Sequence, residues 1–246
     1  MLTWGRMAGR LGGVVALMML AGAVAAQSPS PPLPPPRPDP PAVPSPEPSD
    51  VKVPTKEDGA EPKAPEPSSA DAACLERITR LGLRFESRPS VREKACSIDS
   101  PVLVSALPNG VEVAPASLMA CPVAESLARW MSDAVAPEAE RHFQSAPTKL
   151  LIGTSYQCRD QRNGEKLSEH AFGNGVDVMG FEFAKRGPLA ISAHSADSPE
   201  SAFQAAVQKA ACPIFTTVLG PGSDAAHGDH LHLDLRQRKG DYRICQ

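Results

Sequence analysis

Six cysteines, Cys74, Cys96, Cys121, Cys158, Cys212 and Cys245, are spread over the last part of this 246-residue chain, and none precedes residue 74. An even count at wide spacing, without a C-x-x-C pair, points to three disulfides rather than a thiolate metal site or a dithiol redox centre. The outermost cysteines bracket one folded unit, residues 72–246, long enough to bury its own core. Six cysteines allow 15 connectivities, and sequence alone does not choose among them; the preferred one pairs Cys74 with Cys96, Cys121 with Cys212 and Cys158 with Cys245.

What precedes this unit is different in kind. Arg6 and Arg10 flank the start of an apolar run, Leu11 to Ala21, and Ala23-Val24-Ala25 supplies the small residues a signal peptidase cuts after. Residues 1–26 read as a cleaved export signal, leaving no membrane span. Between Gln27 and Ser69 lie 16 of the chain's 27 prolines and no aromatic residue. Such a stretch cannot offset its ordering entropy by burial, so residues 27–71 read as a disordered, polyproline-biased linker. The mature protein is therefore expected outside the cytoplasm, in the periplasm or beyond. Without Arg6 and Arg10 the 25 basic residues fall to 23 against 28 acidic, a net of −5. With few aromatics and no basic stripe, a nucleic-acid partner is excluded, and no feature calls for more than a monomer.

Within 72–246 the pattern is α+β, an antiparallel sheet with helices packed on one face. Cys74 to Leu83 reads as a helix. Pro101–Leu107 and Val111–Ala114 read as a hairpin around Asn109-Gly110. Ser117 to Phe143 reads as a long amphipathic helix with a break near Pro137. Strands are expected over Lys149–Cys158, Gly175–Phe183, Leu189–His194, Phe215–Leu219 and His230–Arg236. A helix runs from Ser198, its cap, to Cys212.

Four of the six histidines cluster in two motifs, S-x-H-x-x-G-x-x-x-D over Ser168–Asp177 and H-x-x-H-x-H over His227–His232. Together they hold what a catalytic zinc site requires: two imidazoles, a carboxylate, and further histidines for proton transfer. In His230-Leu231-His232-Leu233-Asp234-Leu235 polar and apolar residues alternate, so one strand face presents the imidazoles while the other enters the core. Asp177 stands between core-facing Val176 and Val178, and Gly173 and Gly175 let the His170 loop turn tightly. Arg159, beside Cys158, suits bidentate pairing with a substrate carboxylate, with Tyr156 nearby; Ser168 serves the His170 loop or the substrate. His142 and His194 read as ordinary surface or helix-end residues.

The segments Ser155–Arg159, Ser168–Gly173 and His230–Asp234 resemble those of the bacterial extensin-like C-terminal domain family, over all of 72–246. More remotely, the paired motifs are similar to zinc peptidases that cut peptidoglycan peptides: the D-Ala-D-Ala carboxypeptidases, lysostaphin-type enzymes and murein endopeptidase. That resemblance implies one zinc per domain held by His170, Asp177 and His232, with water in the fourth position. It implies catalytic roles for His230 and His227, with Asp229 where the carboxypeptidases place Glu. It also implies peptidoglycan, or its peptides, as partner and the cell wall as location. The expected activity is hydrolysis of an amide in those peptides; the alternative is a non-catalytic wall-binding or structural module on the same fold. No H-E-x-x-H, G-x-S-x-G or phosphate loop offers a competing chemistry.

Overall fold

Helix α1 (Ser69–Arg80) opens the described part of the chain, which in this computed structural model comprises residues 69–162, 164 and 166–246. The expected export signal and nearly all of the expected linker lie outside the described residues. Among them no helix is long and apolar enough to cross a membrane. Strand β1 (Arg84–Ser87) follows, then a ribbon of β2 (Val91–Glu93) and β3 (Cys96–Ile98). Asn109 and Gly110 take φ of 61° and 76°, the left-handed turn expected of Asn-Gly, and fold β4 (Pro101–Ala106) onto β5 (Glu112–Ala120).

Strand β5 runs to Ala120, so Ser117 to Ala120 are extended rather than helical. Pro122, at the start of α2 (Cys121–Trp130), marks the true helix boundary. The expected break near Pro137 is a π-helical turn, Met131–Val135, leading into α3 (Ala136–Phe143). Strand β6 (Pro147–Ile152) stops before Gly153, well short of Cys158, and a Cβ at 153 would lie 2.7 Å from Met179 Sδ. Strands β7 (Gly175–Phe183) and β8 (Leu189–Ala190), helix α4 (Pro199–Ala211, capped by Ser198), β9 (Thr217–Leu219), β10 (Leu231–Asp234) and β11 (Ile244–Cys245) complete the fold.

The fold is α+β, with the main sheet ordered β1-β4-β5-β6-β7-β10-β9-β11 and β8 attached to β7. It is mixed rather than wholly antiparallel: β5 pairs with β6, and β9 with β11, in parallel. The first of these follows from the helical segment α2–α3, which carries the chain back over the sheet between two strands that then point the same way. On the helical face Phe181 and Phe183 of β7 meet Phe203 of α4, Phe181 meets Trp130 of α2 and Phe183 meets Phe143 of α3. Trp130 Nε1 donates to the Val207 carbonyl at 2.9 Å, tying α2 to α4.

One irregularity keeps β7 in this arrangement. Opposite Leu151 and Ile152 of β6 stand Gly180 and Val178, so Met179 is an extra residue, a β-bulge. Beyond the bulge the alternation shifts by one, and Phe181 and Phe183 join Val176 and Val178 in the core. Asp177 is left on the opposite face.

The three disulfides join Cys74 to Cys121, Cys96 to Cys158 and Cys212 to Cys245, with Cα separations of 6.2, 5.6 and 5.9 Å. None matches the expected connectivity. Sequence order misleads because α1 packs on the start of α2, the ribbon β2–β3 packs beside the segment after β6, and β11 returns to the end of α4.

Candidate metal centre

The register of β10 against β7 sets Leu231 opposite Val178, His232 opposite Asp177 and Leu233 opposite Val176. Leu231 and Leu233 are fully buried on the helical side, so His232 and Asp234 face away from it, as alternation requires. His170 reaches the same place from a 3₁₀ turn, Glu169–Phe172, capped by Ser168, whose hydroxyl oxygen accepts from the His170 N–H. That turn ends at Gly173, φ +59°, where a Cβ would stand 2.5 Å from Ile98 Cδ1 and 3.0 Å from Ala120 N. Only glycine fits there on either count.

Three acceptor atoms converge. Asp177 Oδ1 lies 3.1 Å from His170 Nε2 and 2.9 Å from His232 Nδ1, and the two ring nitrogens are 3.2 Å apart. The far nitrogen of each ring is already engaged: His170 Nδ1 meets the Ser155 carbonyl at 2.8 Å, and His232 Nε2 meets Asp234 Oδ2 at 3.1 Å. If those outer nitrogens carry the protons, lone pairs of both imidazoles and a carboxylate oxygen point at one spot. Such a trio repels itself unless a proton or a cation sits between. Two imidazole nitrogens and one carboxylate oxygen suit a borderline divalent ion such as zinc. At zinc–ligand lengths of about 2.0–2.2 Å, tetrahedral neighbours lie about 3.3–3.6 Å apart, so a slight widening admits the ion.

The electrostatics of the cluster reflect this crowding. Burial disfavours the His232 imidazolium, but Asp177 and Asp234, one on each ring nitrogen, outweigh it and raise His232 to about 9. Burial likewise opposes ionisation of Asp177, yet hydrogen bonds from His170 and His232 hold it well below the ordinary carboxylate range. Asp234 is depressed too, against burial, by His232 and the Thr217 side chain, and it accepts the Arg236 N–H at 2.9 Å.

The other candidate residues surround this centre with varying closeness. His230 meets Asp229 through Nδ1 at 2.8 Å and turns Nε2 toward Asp177 Oδ1, 3.8 Å away. His227 meets Asp224 at 2.8 Å, with its ring 5.2 Å from that of His230 and 5.9 Å from that of His232. Asp229 itself is exposed and faces His230, not the cluster. Arg159 lines the cleft from a loop, not from a strand end. Tyr156 does not line it: its hydroxyl is 3.2 Å from Glu93 Oε2 on β2. His142 packs against Phe143 and Phe203, and His194 meets the Ala190 carbonyl, both apart from the centre.

The cleft over the cluster encloses about 590 Å³. Among its walls are residues the motifs do not single out: Asp224, Asp234, Arg162, Arg236 and Arg238. Asp234 was visible on the ligand face of its strand, and the H-x-D spacing is the signal that it orients His232. For Arg238 the sequence carries no such signal.

Residues 72–246 match the family described as extensin-like protein C-terminus, and the chain belongs to that family. No curated protein and no solved structure matches.

Proposed function

We propose that this extensin-like domain is an exported zinc-dependent hydrolase of amide bonds in peptidoglycan peptides. The observation that carries the reading is the convergence of His170 Nε2, Asp177 Oδ1 and His232 Nδ1, with the outer nitrogen of each imidazole anchored, at the floor of an open cleft. Anchoring of that kind fixes ring orientation and tautomer in metal sites. The order and spacing of S-x-H-x-x-G-x-x-x-D and H-x-x-H-x-H add the likeness to peptidoglycan-cutting zinc peptidases.

His170, Asp177 and His232 would hold the ion, which when bound lowers the pKa of a water toward about 7 and polarises a carbonyl. His230 is the general base: Asp229 holds its Nδ1, leaving Nε2 free to take the water proton and deliver it to the departing amine. His227, oriented by Asp224, stands beside it to stabilise developing negative charge on the carbonyl oxygen. Ser168 positions the His170 turn, and Arg159 binds substrate.

Metal analysis of purified protein should find one zinc per domain, lost in His232→Ala. Defined muropeptides, incubated with wild type and His230→Ala and read by mass spectrometry, should be cleaved by the first and left intact by the second. Wild type that binds them and cleaves none would replace this reading with that of a wall-binding module.

A further inference from the structure

The charges lining the cleft are unevenly matched. Each carboxylate there has a histidine or arginine beside it: Asp177 has His170 and His232, Asp234 has His232, Asp229 has His230, Asp224 has His227, and Glu169 has Arg236. Three of the arginines have no carboxylate within ion-pair distance. Arg159 donates to Gln157 Oε1 and the Asp160 carbonyl, and Arg162 to the Ala226 carbonyl. Arg238 donates to the Thr216 carbonyl at 3.1 Å and Thr217 Oγ1 at 2.8 Å. Among the described residues no carboxylate lies within ion-pair distance of any of the three, and only Arg162 has a longer-range attraction, to the exposed Asp229, although all line one cleft.

Their placement follows from the sheet order. The candidate ligands sit on β7 and β10 and on the turn before β7. The flanking strand β6 runs out into the segment that carries Arg159 and Arg162. On the opposite flank, β9 holds Arg238, with Leu219 and Ile244 beside it on the cleft wall. Neutral oxygens fix these guanidiniums without neutralising them, and each keeps donors to spare. A planar fork held in this way is prepared for a carboxylate, which it can meet with two charge-assisted bonds.

We infer that the cleft binds a peptide carrying free carboxylates on both sides of the position held over His170, Asp177 and His232. Arg159 and Arg162 receive one carboxylate. Arg238 receives the other, with Leu219 and Ile244 accommodating a small aliphatic side chain next to it. This deepens the hydrolase reading by naming its substrate class, yet the binding claim stands or falls separately from turnover.

The probe is Ala-γ-D-Glu-Lys-D-Ala, which has an α-carboxylate on the Glu and another at the C-terminus. Three companions carry an amide at the first, the second, or both. Binding to zinc-supplied His230→Ala protein is measured by calorimetry, so that no cleavage intrudes. Each amidation should weaken binding about tenfold and both together about a hundredfold, as lost charge-assisted contacts imply. In Arg238→Gln one amidation should cease to matter, and in Arg159→Gln or Arg162→Gln the other. Amidated peptides that bind within about twofold of the free acid, or a free acid that does not bind, overturn the inference, and these arms need no further protein variant. Binding that depends on both carboxylates, with peptide left whole by wild type, supports the inference and sinks the hydrolase. Wild-type cleavage of the doubly amidated peptide as fast as the free acid does the reverse.

Discussion

His232 and Asp177 stand directly opposite one another on adjacent antiparallel strands, with Nδ1 of the imidazole 2.9 Å from Oδ1 of the carboxylate. Their neighbours Leu231, Leu233, Val176 and Val178 are fully buried. The strand register that builds the core therefore also aims the two groups at each other. A slip of β10 by one residue would turn His232 and Asp234 inward and expose Leu231 and Leu233.

Asp234 acts on the centre through His232. Replacing it with Asn removes the charge that holds Nε2 while sparing the shape. Asp234→Asn should weaken zinc binding by about 10- to 100-fold, measured by competition with a chromophoric chelator. Unchanged affinity would show that the Asp234–His232 contact does not tune the site.

The acidity of His232 gives a second expectation. His232 is raised from 6.5 to about 9 in the folded metal-free protein, so its ion pairing stabilises the fold fully below pH 6.5. That contribution is lost as pH climbs through about 9. Zinc must displace the same proton. Calorimetry near pH 7.5 in buffers of differing ionisation heat should show proton release on zinc binding, with affinity rising from pH 6 to pH 9. Binding without proton release contradicts the protonation of His232.

The ribbon β2–β3 touches the segment after β6 at two points, the Cys96–Cys158 disulfide and the Tyr156–Glu93 hydrogen bond. That segment supplies the Ser155 carbonyl that holds His170. Cys96→Ser with Cys158→Ser should cost zinc affinity as well as stability. Cys212→Ser with Cys245→Ser, remote from His170, should cost stability alone, about 4 kcal/mol by loop-closure arithmetic. Denaturant titrations in excess chelator, alongside zinc affinities, separate the two effects.

Two glycines beside the centre should respond differently to one added methyl. Gly173→Ala meets Ile98 and the Ala120 backbone at positive φ and should lose about 2–4 kcal/mol. Gly175→Ala, with its Cβ 3.3 Å from His232 Cε1 at an ordinary φ, should lose under about 1 kcal/mol. Thermal melts of the metal-free proteins give both values.

How far the sequence discloses this arrangement depends on how local the information is. Strand β10 was legible because Leu231, His232, Leu233 and Asp234 alternate without exception, and the β4–β5 turn because Asn109-Gly110 leaves few conformations. The end of β6 was not, since Thr154 to Cys158 looks as extended as what precedes it. The first four residues of the expected long helix belong to β5, where Ser117 and Met119, not Leu118, face the core. The three-residue strands β2 and β3 left no periodic trace. Disulfide partners and the place of Arg162, Arg236 and Arg238 in the cleft depend on tertiary proximity, which spacing along the chain does not encode.

Of the three groups at the centre, two are mounted on paired strands of the sheet and one, His170, on a short 3₁₀ turn. Dislodging Asp177 or His232 means tearing the sheet, whereas the turn can lift with a few bonds broken. An ion held as proposed should therefore exchange by lifting of the turn rather than by movement of the strands.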